Sequence, residues 1–482
     1  MPEAVTEFET LRAALGGDVV VDGDPGYEEA RSIFNAMIER RPSGIARCET
    51  AADVRAALAF AQQSGLEVAV RAGGHSVAGA SLTDGGLTID LRRMNAVSVD
   101  PDARTATVQG GAGWGDFDRA CQPHGLAATG GRVSTTGVAG LTLGGGSGWL
   151  ERRFGFACDN LLSATLITAD GREVRASEAE NPELFWALHG AGANFGIATE
   201  LVFRLHPLPA FTGALLFWPP DVGPELGRAY RKLIEEAPDD LGGALLFVTA
   251  PPEDFVPEQL HNRLSASVFA TYTGPEAKAR EAIAPLLALD PPGALVAEMP
   301  YAEFQSMIDD PPGYRNYWSA EYLDELPDAA IDAFCARAEG IIVPSPTQHI
   351  IFPGGGAVSR GAAGSPLATR ESPWVVHPLT MWEDPADDER AIQWTRDVRA
   401  DVQEWATGAT YLNFVGDEGE DRIVAGYGRE NYDRLAAVKA EYDPTDVFHL
   451  HHPIRPAVES GNEVSRSMRR NSPRTRAAGW AD

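Results

Sequence analysis

A glycine-rich turn that ends in a histidine carries the clearest chemical signal of this chain. The turn reads Arg71-Ala72-Gly73-Gly74-His75-Ser76, and the alternating residues before it, Leu66–Val70, predict a strand. Glycine permits positive φ and a close approach of the backbone, so the N–H groups of such a turn can converge on phosphate oxygens. His75 would then stand beside the bound ligand. A histidine in a turn is more often a hydrogen-bonded structural residue, so both interpretations stay open at this point.

Two further glycine-rich segments follow along the chain. They are Gly137–Trp149, which contains Gly144-Gly145-Gly146, and Ala191–Ile197. Tight turns also require glycine, so a single cluster is weak evidence for a ligand site. No cluster opens a β-α-β unit followed by an acid about 20 residues later, which excludes the parallel-sheet dinucleotide fold. The clusters therefore indicate a ligand site only if they act together.

The residues around these segments predict short helices and strands. Apolar residues recur on one face of a predicted helix over Ala51–Gln63. The dipeptide Asp170-Gly171 is typical of a hairpin turn between two strands. The other predicted elements of this region are the strands Leu87–Leu91, Thr105–Gln109, Ser163–Ala169, Glu173–Ala176 and Thr199–Leu205 and the helix Trp114–His124.

The pattern changes after the segment His206–Pro209. From about 210 to 408, longer apolar strands alternate with helical segments, an order that fits an α+β domain with an antiparallel sheet covered by helices. The predicted strands are Leu215–Trp218, Leu245–Ala250 and Leu264–Thr271, and the predicted helices are Pro224–Glu236, Pro275–Leu287, Asp328–Glu339 and Pro385–Ala406. Glycine-containing turns return after residue 411, which predicts that the C-terminal segment packs against the first domain.

Composition restricts the partners and the compartment. The chain has 482 residues, long enough for two domains, and carries 69 acidic residues against 40 Lys and Arg, a net charge of −29. Such a surface repels nucleic acid and anionic membranes. Four separated cysteines without metal-ligand spacing predict reduced thiols and no metal site. With neither a signal peptide nor an apolar run of about 18 residues, we expect a cytoplasmic protein.

The motifs occur in an order that matches a known family. Besides the turn at 71–76, they are Leu87-Thr88-Ile89-Asp90-Leu91, Val108-Gln109-Gly110-Gly111-Ala112, Thr136–Trp149, Asp159-Asn160 and Asn194-Phe195-Gly196-Ile197. The C-terminal motifs are Tyr411-Leu412-Asn413, Tyr427-Gly428, Asn431-Tyr432, Lys439, Tyr442-Asp443-Pro444 and Phe448. Together they resemble the FAD-linked oxidases of the vanillyl-alcohol oxidase fold, in the berberine bridge enzyme-like branch. The resemblance reaches to about Pro456 and is loosest between 210 and 345.

The resemblance implies three structural parts. The first is an FAD-binding domain of the PCMH type with two α/β subdomains over residues 1–208, with its core from about 40. A substrate domain over 209–408 follows, and a berberine bridge enzyme-like segment over 409–457 returns to the FAD domain. We expect the polar tail, 458–482, to be disordered. The predicted fold class is α+β.

The cofactor that the resemblance implies is FAD, and the matched motifs give its site residues. His75 matches the family histidine that is bonded to the flavin 8α-methyl group. The other positions matched to cofactor contacts are Arg71, Gly73, Gly74, Ser76, Gly137, Gly140, Gly144, Gly148, Asn160, Ile197 and Asn413. Many relatives add a cysteinyl link, but alignment on Gly137 places Val133 there, so we expect a single histidyl attachment.

The resemblance also implies hydride transfer to flavin N5 from an alcohol, a sugar, or a phenolic or other secondary-metabolite substrate. Tyr411 matches the family's catalytic tyrosine, although a phenol with a pKa of about 10 is a poor base unless its anion is stabilised. Relatives with a carboxylate on the strand Trp374–Trp382 have it where this chain has Val375. His377 on the same face, and His349, are the candidate partners, with a structural histidine as the alternative for each.

The electron acceptor is expected to be O2, with hydrogen peroxide as the product. Thr136 aligns near the position that gates oxygen access to the flavin, and its small side chain leaves room for oxygen. The alternatives are a dehydrogenase with another acceptor and a catalytically degenerate flavin-binding protein, which the missing carboxylate at Val375 would favour. We expect a small-molecule substrate as partner, no nucleic acid and no membrane, and a monomer or homodimer.

Overall fold

The structure is a computed structural model that describes residues 2–361 and 364–457. The predicted disordered tail, 458–482, lies outside the described residues. Helices and antiparallel sheets confirm the predicted α+β class. In the described part of the chain, every helix is too short or too polar to cross a membrane.

The first region, up to Pro207, contains two main sheets with helices around them. Its strands are β1 (Asp18–Val21), β2 (Gly44–Arg47), β3 (Val68–Arg71), β4 (Leu87–Asp90), β5 (Val97–Asp100), β6 (Thr105–Gln109), β7 (Leu126–Ala127), β8 (Leu161–Ile167), β9 (Glu173–Ser177), β10 (Ile197–Arg204) and β11 (His206–Pro207). Its helices are α1 (Pro2–Ala14), α2 (Tyr27–Arg31), α3 (Ala51–Gln63), α4 (Trp114–Cys121), α5 (Val138–Leu143), α6 (Glu151–Phe154) and α7 (Pro182–Ala187). The sheets have the orders β1-β2-β4-β3 and β5-β6-β10-β8-β9, and they form the two α/β subdomains.

Helix α3 and the β8–β9 hairpin form where the sequence predicts them, because of residues at their ends. Helix α3 begins after Thr50, whose hydroxyl accepts the N–H of Asp53 while the Asp53 carboxylate accepts the N–H of Thr50. Strands β8 and β9 pair as the predicted antiparallel hairpin. Its turn contains Gly171 at a φ of +78°, which a glycine adopts without strain.

The second region forms one large antiparallel sheet, as predicted. Its strands are β12 (Thr212–Trp218), β13 (Leu241–Thr249), β14 (Leu264–Tyr272), β15 (Gly293–Glu298), β16 (Arg315–Trp318), β17 (Glu321–Leu323), β18 (Gln348–Pro353) and β19 (Trp374–Trp382). Its helices are α8 (Gly223–Glu236), α9 (Glu276–Ala282), α10 (Ala284–Leu287), α11 (Tyr301–Met307), α12 (Asp328–Arg337), α13 (Ala357–Arg360) and α14 (Asp388–Val402). The strand order is β15-β12-β14-β13-β18-β19-β16, with β17 also paired to β19.

The two faces of the large sheet have different neighbours. One face packs against α8, α12 and α14 through side chains that include Leu245 and Trp374. The other face joins the core of the first region through Ile350, Phe352 and Leu379. Because side chains alternate along a strand, consecutive residues of β18 and β19 face opposite sides. Only every second residue of these strands can therefore reach the first region.

The C-terminal segment contains α15 (Glu420–Tyr427) and α16 (Arg429–Tyr442) and packs against the first region. Lys439 of α16 is fully buried, and its Nζ donates to the carbonyls of Asn194 (2.9 Å) and Phe448 (2.7 Å). The same ammonium lies 2.6 Å from the Asp443 carboxylate. These bonds fix α16 beside the turn before β10. The residue bounds of the three implied domains stay predictions.

Candidate active site

One cavity connects the glycine-rich turn with the large sheet. It encloses about 1760 Å³, counting the space at its open mouth. Its walls come from β3 and the turn after it, from the 132–149 segment, from β18 and β19, and from the segments 412–415 and 448–451. All three parts of the protein meet at this cavity, so we take it as the candidate active site.

The glycine turn has the geometry of an anion-binding loop. A Cβ on Gly73 would lie 2.2 Å from the backbone nitrogen of Gly137, and Gly74 has a φ of +77°, so only glycine fits both positions. Within residues 2–361 and 364–457, the N–H groups of Gly73, Gly74, His75 and Ser76 donate to no acceptor. Unpaired amides on a tight turn suit phosphate oxygens. The turn therefore fits the diphosphate of FAD.

His75 lines the cavity in a neutral form. Its Nε2 lies 2.9 Å from Thr135 Oγ1, and its ring stacks on Phe34 at a centroid distance of 4.3 Å. Burial, together with the charge of Arg71, lowers the pKa of His75 to about 4. A neutral imidazole keeps one ring nitrogen with a free lone pair, the form that can bond to carbon. Its position fits the predicted flavin anchor.

Arg71 lies behind the turn and not in the cavity wall. Its guanidinium donates to the carbonyls of Ala30 and Ser32, both at 2.5 Å. A Cβ on Gly74 would lie 3.1 Å from Arg71 Nε, so the guanidinium packs directly beneath the turn. Arg71 therefore supports the turn through backbone carbonyls, and its predicted cofactor contact stays a prediction.

The second glycine segment contributes Gly137 and Gly140 to the cavity wall, but not the other two matched glycines. A Cβ on Gly144 would lie 2.2 Å from Asn413 Oδ1, and one on Gly148 would lie 1.8 Å from the Gly130 carbonyl oxygen. The Gly130 carbonyl leaves no room for a side chain at position 148, and the Asn413 side chain packs against Gly144. Both glycines therefore have a packing role, and the cofactor contacts predicted for them stay predictions.

The three remaining cofactor predictions divide in the same way. Ile197 and Asn413 line the cavity. Asn160 does not, because its amide donates to the Phe154 and Phe156 carbonyls and its Oδ1 lies 2.6 Å from His206 Nε2. This side chain organises the turn before β8, and the cofactor contact predicted for Asn160 stays a prediction.

Tyr411 is buried behind the cavity wall. Its hydroxyl oxygen accepts the N–H groups of Gly146 (2.6 Å) and Ser147 (3.1 Å) and the side-chain amide of Asn413 (3.0 Å). Burial raises the pKa of Tyr411 to about 12, although these N–H groups act in the opposite direction. A general base must reach the proton that it removes. The hydroxyl is bonded to protein groups and is not part of the cavity lining, so we infer that it positions the Gly146–Ser147 backbone, while the catalytic role of Tyr411 stays a prediction.

Replacing Tyr411 with phenylalanine tests this assignment. Tyr411→Phe leaves two buried N–H groups without an acceptor, so we expect the free energy of unfolding to fall by about 1–3 kcal/mol. Substrate-driven reduction of the flavin should persist. Urea unfolding and anaerobic visible spectra measure the two quantities, with Tyr317→Phe at a half-buried tyrosine as the control. A variant of unchanged stability that substrate no longer reduces would restore the base role of Tyr411.

His377 lines the cavity with a fixed tautomer. Its Nδ1–H donates to the Ser319 carbonyl at 2.7 Å, which leaves Nε2 as a hydrogen-bond acceptor. Its ring stacks on Phe414 at a centroid distance of 4.2 Å. Burial lowers the pKa of His377 to about 3. His377 can therefore orient a donor group of a substrate, but it is a weak base.

His349 lies on the opposite face of the large sheet. The pairing of β18 with β19 sets Ile350 against His377 and His349 against Pro378, so the two histidines face different sides. The His349 ring stacks on Phe334 of α12 at a centroid distance of 3.8 Å, and its Nε2 lies 3.0 Å from the Phe334 carbonyl oxygen. His349 is not among the residues that line the cavity. The structure therefore places His349 under the helices and away from the cavity, which does not support its prediction as a catalytic partner.

Several residues that line the cavity belong to no recognisable motif, so the sequence does not predict them as site residues. Asp310, in the loop after α11, accepts the side-chain amide N–H of Gln348 at 2.5 Å. Burial, with the neighbouring charge of Asp309, raises the pKa of Asp310 to about 7. His451 also lines the cavity, close to the C-terminal end of the described chain. The run Asp309-Asp310-Pro311-Pro312-Gly313 predicts a loop but gives no sign that one carboxylate faces the cavity.

Comparisons with known proteins identify the family of this chain. Residues 42–177 match the family described as FAD binding domain, and residues 410–455 match the family described as berberine and berberine like. The chain is 31% identical to (R)-6-hydroxynicotine oxidase of Paenarthrobacter nicotinovorans, over 92% of this chain and 97% of that protein. It is 32% identical to the FAD-linked oxidoreductase pgmH of Aspergillus terreus, over 94% of this chain and 96% of that protein.

The similarity extends to a solved structure. The crystal structure of 6-hydroxy-D-nicotine oxidase from Arthrobacter nicotinovorans matches the fold with a TM-score of 0.82 and 29% identity, covering 92% of this chain and 98% of that one. The sequence and fold similarities both run along nearly the whole length of each protein. The chain therefore belongs to the FAD-linked oxidoreductases of the berberine bridge enzyme-like family.

Proposed function

We propose that this enzyme is an oxidase that holds FAD covalently through His75. Its substrate is an alcohol, a sugar, or a phenolic or other secondary metabolite, and O2 takes up the electrons to give hydrogen peroxide. The observation that carries the proposal is the shared cavity: the unpaired turn with neutral His75 and the large sheet with His377 line the same space. When bound, the flavin supplies the acceptor for a hydride from the substrate.

The attachment is proposed to be histidyl only. All four cysteines lie among the described residues, and none of them lines the cavity. Val133 lines it at the position where many relatives have the second link. Cys121 and Cys158 are buried elsewhere, and burial raises the pKa of both thiols. A thiol that is protonated and away from the cavity is not available for a second bond.

The far end of the cavity favours a substrate with an apolar body. Trp318, Phe352 and Phe414 contribute aromatic walls, and aliphatic residues of β18 and β19 lie between them. Each hydroxyl of a sugar that met such a wall without a partner would cost about 1–3 kcal/mol. Among the substrate classes named above, a hydrophobic alcohol or secondary metabolite therefore fits better than a sugar.

Thr136 supports O2 as the acceptor. It lines the cavity beside His75, with Oγ1 3.4 Å from His75 Nδ1. A side chain of this size leaves space next to the ring-binding part of the cavity, where a bulky residue would exclude oxygen. Stopped-flow mixing of the reduced enzyme with air measures this property directly. Rapid recovery of the oxidised spectrum with peroxide formation is expected, and slow recovery would favour the dehydrogenase.

An anaerobic bleaching screen tests the proposed function as a whole. The purified protein should be yellow, and a matching substrate should bleach it under argon. Sugars, phenols and polyketide alcohols make up the first panel, because they cover the classes named above. Bleaching by a member of the panel, followed by recovery in air, is the expected result. A yellow protein that stays inert to the panel would favour the catalytically degenerate alternative.

A further inference from the structure

The substrate end of the cavity offers hydrogen-bond acceptors to a ligand. His377 presents Nε2 as an acceptor, because its Nδ1–H is held by the Ser319 carbonyl. Asp310 is partly exposed at the cavity wall, and Gln348 uses its amide N–H to bind that carboxylate at 2.5 Å. Gln348 and His377 lie on neighbouring strands and on the same face of the sheet. A ligand that donates hydrogen bonds is complementary to this group.

The charges around Asp310 leave its carboxylate without a cation. The other titratable groups that line the cavity are His75, Arg132, His377 and His451. Arg132 is engaged elsewhere: its guanidinium lies 2.9 Å from Ser147 Oγ and 3.2 Å from a Glu151 oxygen, and it covers the Phe352 ring at 3.9 Å. The adjacent Asp309 adds a second negative charge, which Ser134 binds. A cationic ligand would therefore compensate the negative charge of the Asp310 carboxylate.

We propose that the substrate carries a protonated amine beside an apolar body, and that the Asp310 carboxylate binds the amine and takes up its proton. This inference rests on the proposed oxidase function and specifies its substrate class. A neutral alcohol of the same shape would donate a hydrogen bond but leave the charge of Asp310 uncompensated. A carboxylate-bearing substrate would be repelled by Asp309 and Asp310.

The proton transfer balances with the oxidation. The ammonium N–H bond breaks and an O–H bond forms on Asp310, which leaves a neutral amine with a free lone pair. The adjacent C–H bond then breaks and its hydride leaves to the flavin of the proposed function, while the nitrogen lone pair forms the C=N bond of an iminium product. Asp310 is suited to this step because its raised pKa, about 7, permits it both to accept and to release a proton near neutral pH.

Binding of two inert probes of one shape provides the test. We choose 2-phenylpropan-2-amine and 2-phenylpropan-2-ol, because neither has a hydrogen on the carbon next to its polar group and neither can be oxidised there. Titration calorimetry of the flavin-loaded protein should show the amine binding about 10- to 100-fold more tightly than the alcohol. Asp310→Asn should remove this preference, and Asp310→Glu should restore part of it. Glu303→Gln, at an exposed acid on α11, serves as the charge-matched control.

The pH dependence adds a readout that a merely structural role would not move. Asp310 is ionised above its pKa of about 7, so amine binding should weaken as the pH falls below that value. It should weaken again at high pH, where the probe loses its own proton. Below pH 7, amine binding should release a proton from Asp310 to the buffer, and Asp310→Asn should abolish this release. Binding of the alcohol should stay independent of pH over the same range.

The outcomes separate this inference from the proposed function. Equal or absent binding of the two probes by the wild-type protein overturns the inference, as does an amine preference that survives in Asp310→Asn. The oxidisable pair 1-phenylethylamine and 1-phenylethanol then reports on turnover. Bleaching by the alcohol but not by the amine overturns the amine inference and keeps the oxidase function. Asp310-dependent amine binding without bleaching by any compound keeps the inference as an amine-binding site and overturns the oxidase function.

Discussion

Replacing His75 with alanine is expected to abolish covalent flavin attachment while the chain still folds. Wild-type protein, denatured and examined by mass spectrometry, should carry the added mass of one FAD, and a flavin-containing peptide should include His75. His75→Ala should show the mass of the bare chain. The effect is complete rather than partial because no cysteine among the cavity-lining residues can replace the link.

The fold is expected to survive this change. Outside the turn backbone, His75 contacts Phe34 by stacking and the hydroxyls of Thr135 and Thr136, and these groups stay supported by their own segments. Noncovalent flavin should still bind, because the turn holds the diphosphate through backbone N–H groups. His124→Ala, at an exposed histidine, is the control and should keep the adduct. An adduct on a cysteine peptide, or one that persists in His75→Ala, would contradict the assignment.

Removing the buried ammonium of Lys439 is expected to destabilise the protein strongly. Lys439 and Asp443 are both fully buried, and Nζ also donates to the Asn194 and Phe448 carbonyls. Lys439→Met keeps a side chain of similar length but leaves a buried carboxylate without its cation. Such a loss costs about 3–5 kcal/mol of unfolding free energy. Urea unfolding of the flavin-loaded forms of both proteins measures the difference.

A surface lysine gives the matched control for this experiment. Lys278 pairs with Glu281 at 2.7 Å, but both side chains are exposed, so Lys278→Met should change the unfolding free energy by about 0–1 kcal/mol. In the double variant Lys439→Met with Asp443→Asn, part of the loss should be recovered, because the uncompensated charge is gone. A loss below about 1 kcal/mol for Lys439→Met would mean that water or another group compensates Asp443.

The features that the sequence predicts well depend on residues that are close together in the sequence. The bounds of α3 follow from its Thr50 cap and its apolar periodicity. The hairpin of β8 and β9 follows from Asp170-Gly171, and the antiparallel sheet follows from long apolar strands separated by helices. The glycine turn is likewise a local signal, because Gly74 has a positive φ and glycine is the residue that adopts such a φ without strain.

The choice between His349 and His377 depends on a strand register that neither strand encodes. Ile350 pairs with His377, so His377 faces the cavity and His349 faces the helices. A shift of one residue in either strand would exchange these faces. The apolar residues of β18 are similar on both sides because both sides are buried. The sequence therefore offers two candidates, and the structure places one of them, His377, at the cavity.

The positions of Tyr411 and Asp310 relative to the cavity depend on contacts between distant parts of the chain. The Tyr411 hydroxyl accepts the Gly146 N–H, 265 residues away, while Phe414, directly after the motif, lines the cavity. Motif matching alone cannot tell which aromatic residue of this segment faces inward. Asp310 meets Gln348, 38 residues later, from a proline- and glycine-rich loop. Neither contact leaves a regular spacing in the sequence, so the sequence predicts neither the partners of the Tyr411 hydroxyl nor the position of Asp310 at the cavity.

The late position of one cavity wall has a consequence for the biosynthesis of the enzyme. The segments 412–415 and 448–451 complete the same cavity that begins at the glycine turn. When His75 of a nascent chain has emerged from the ribosome, the chain still lacks this wall, because the two segments are synthesised hundreds of residues later. We therefore expect FAD to be loaded after translation, once both segments have been synthesised.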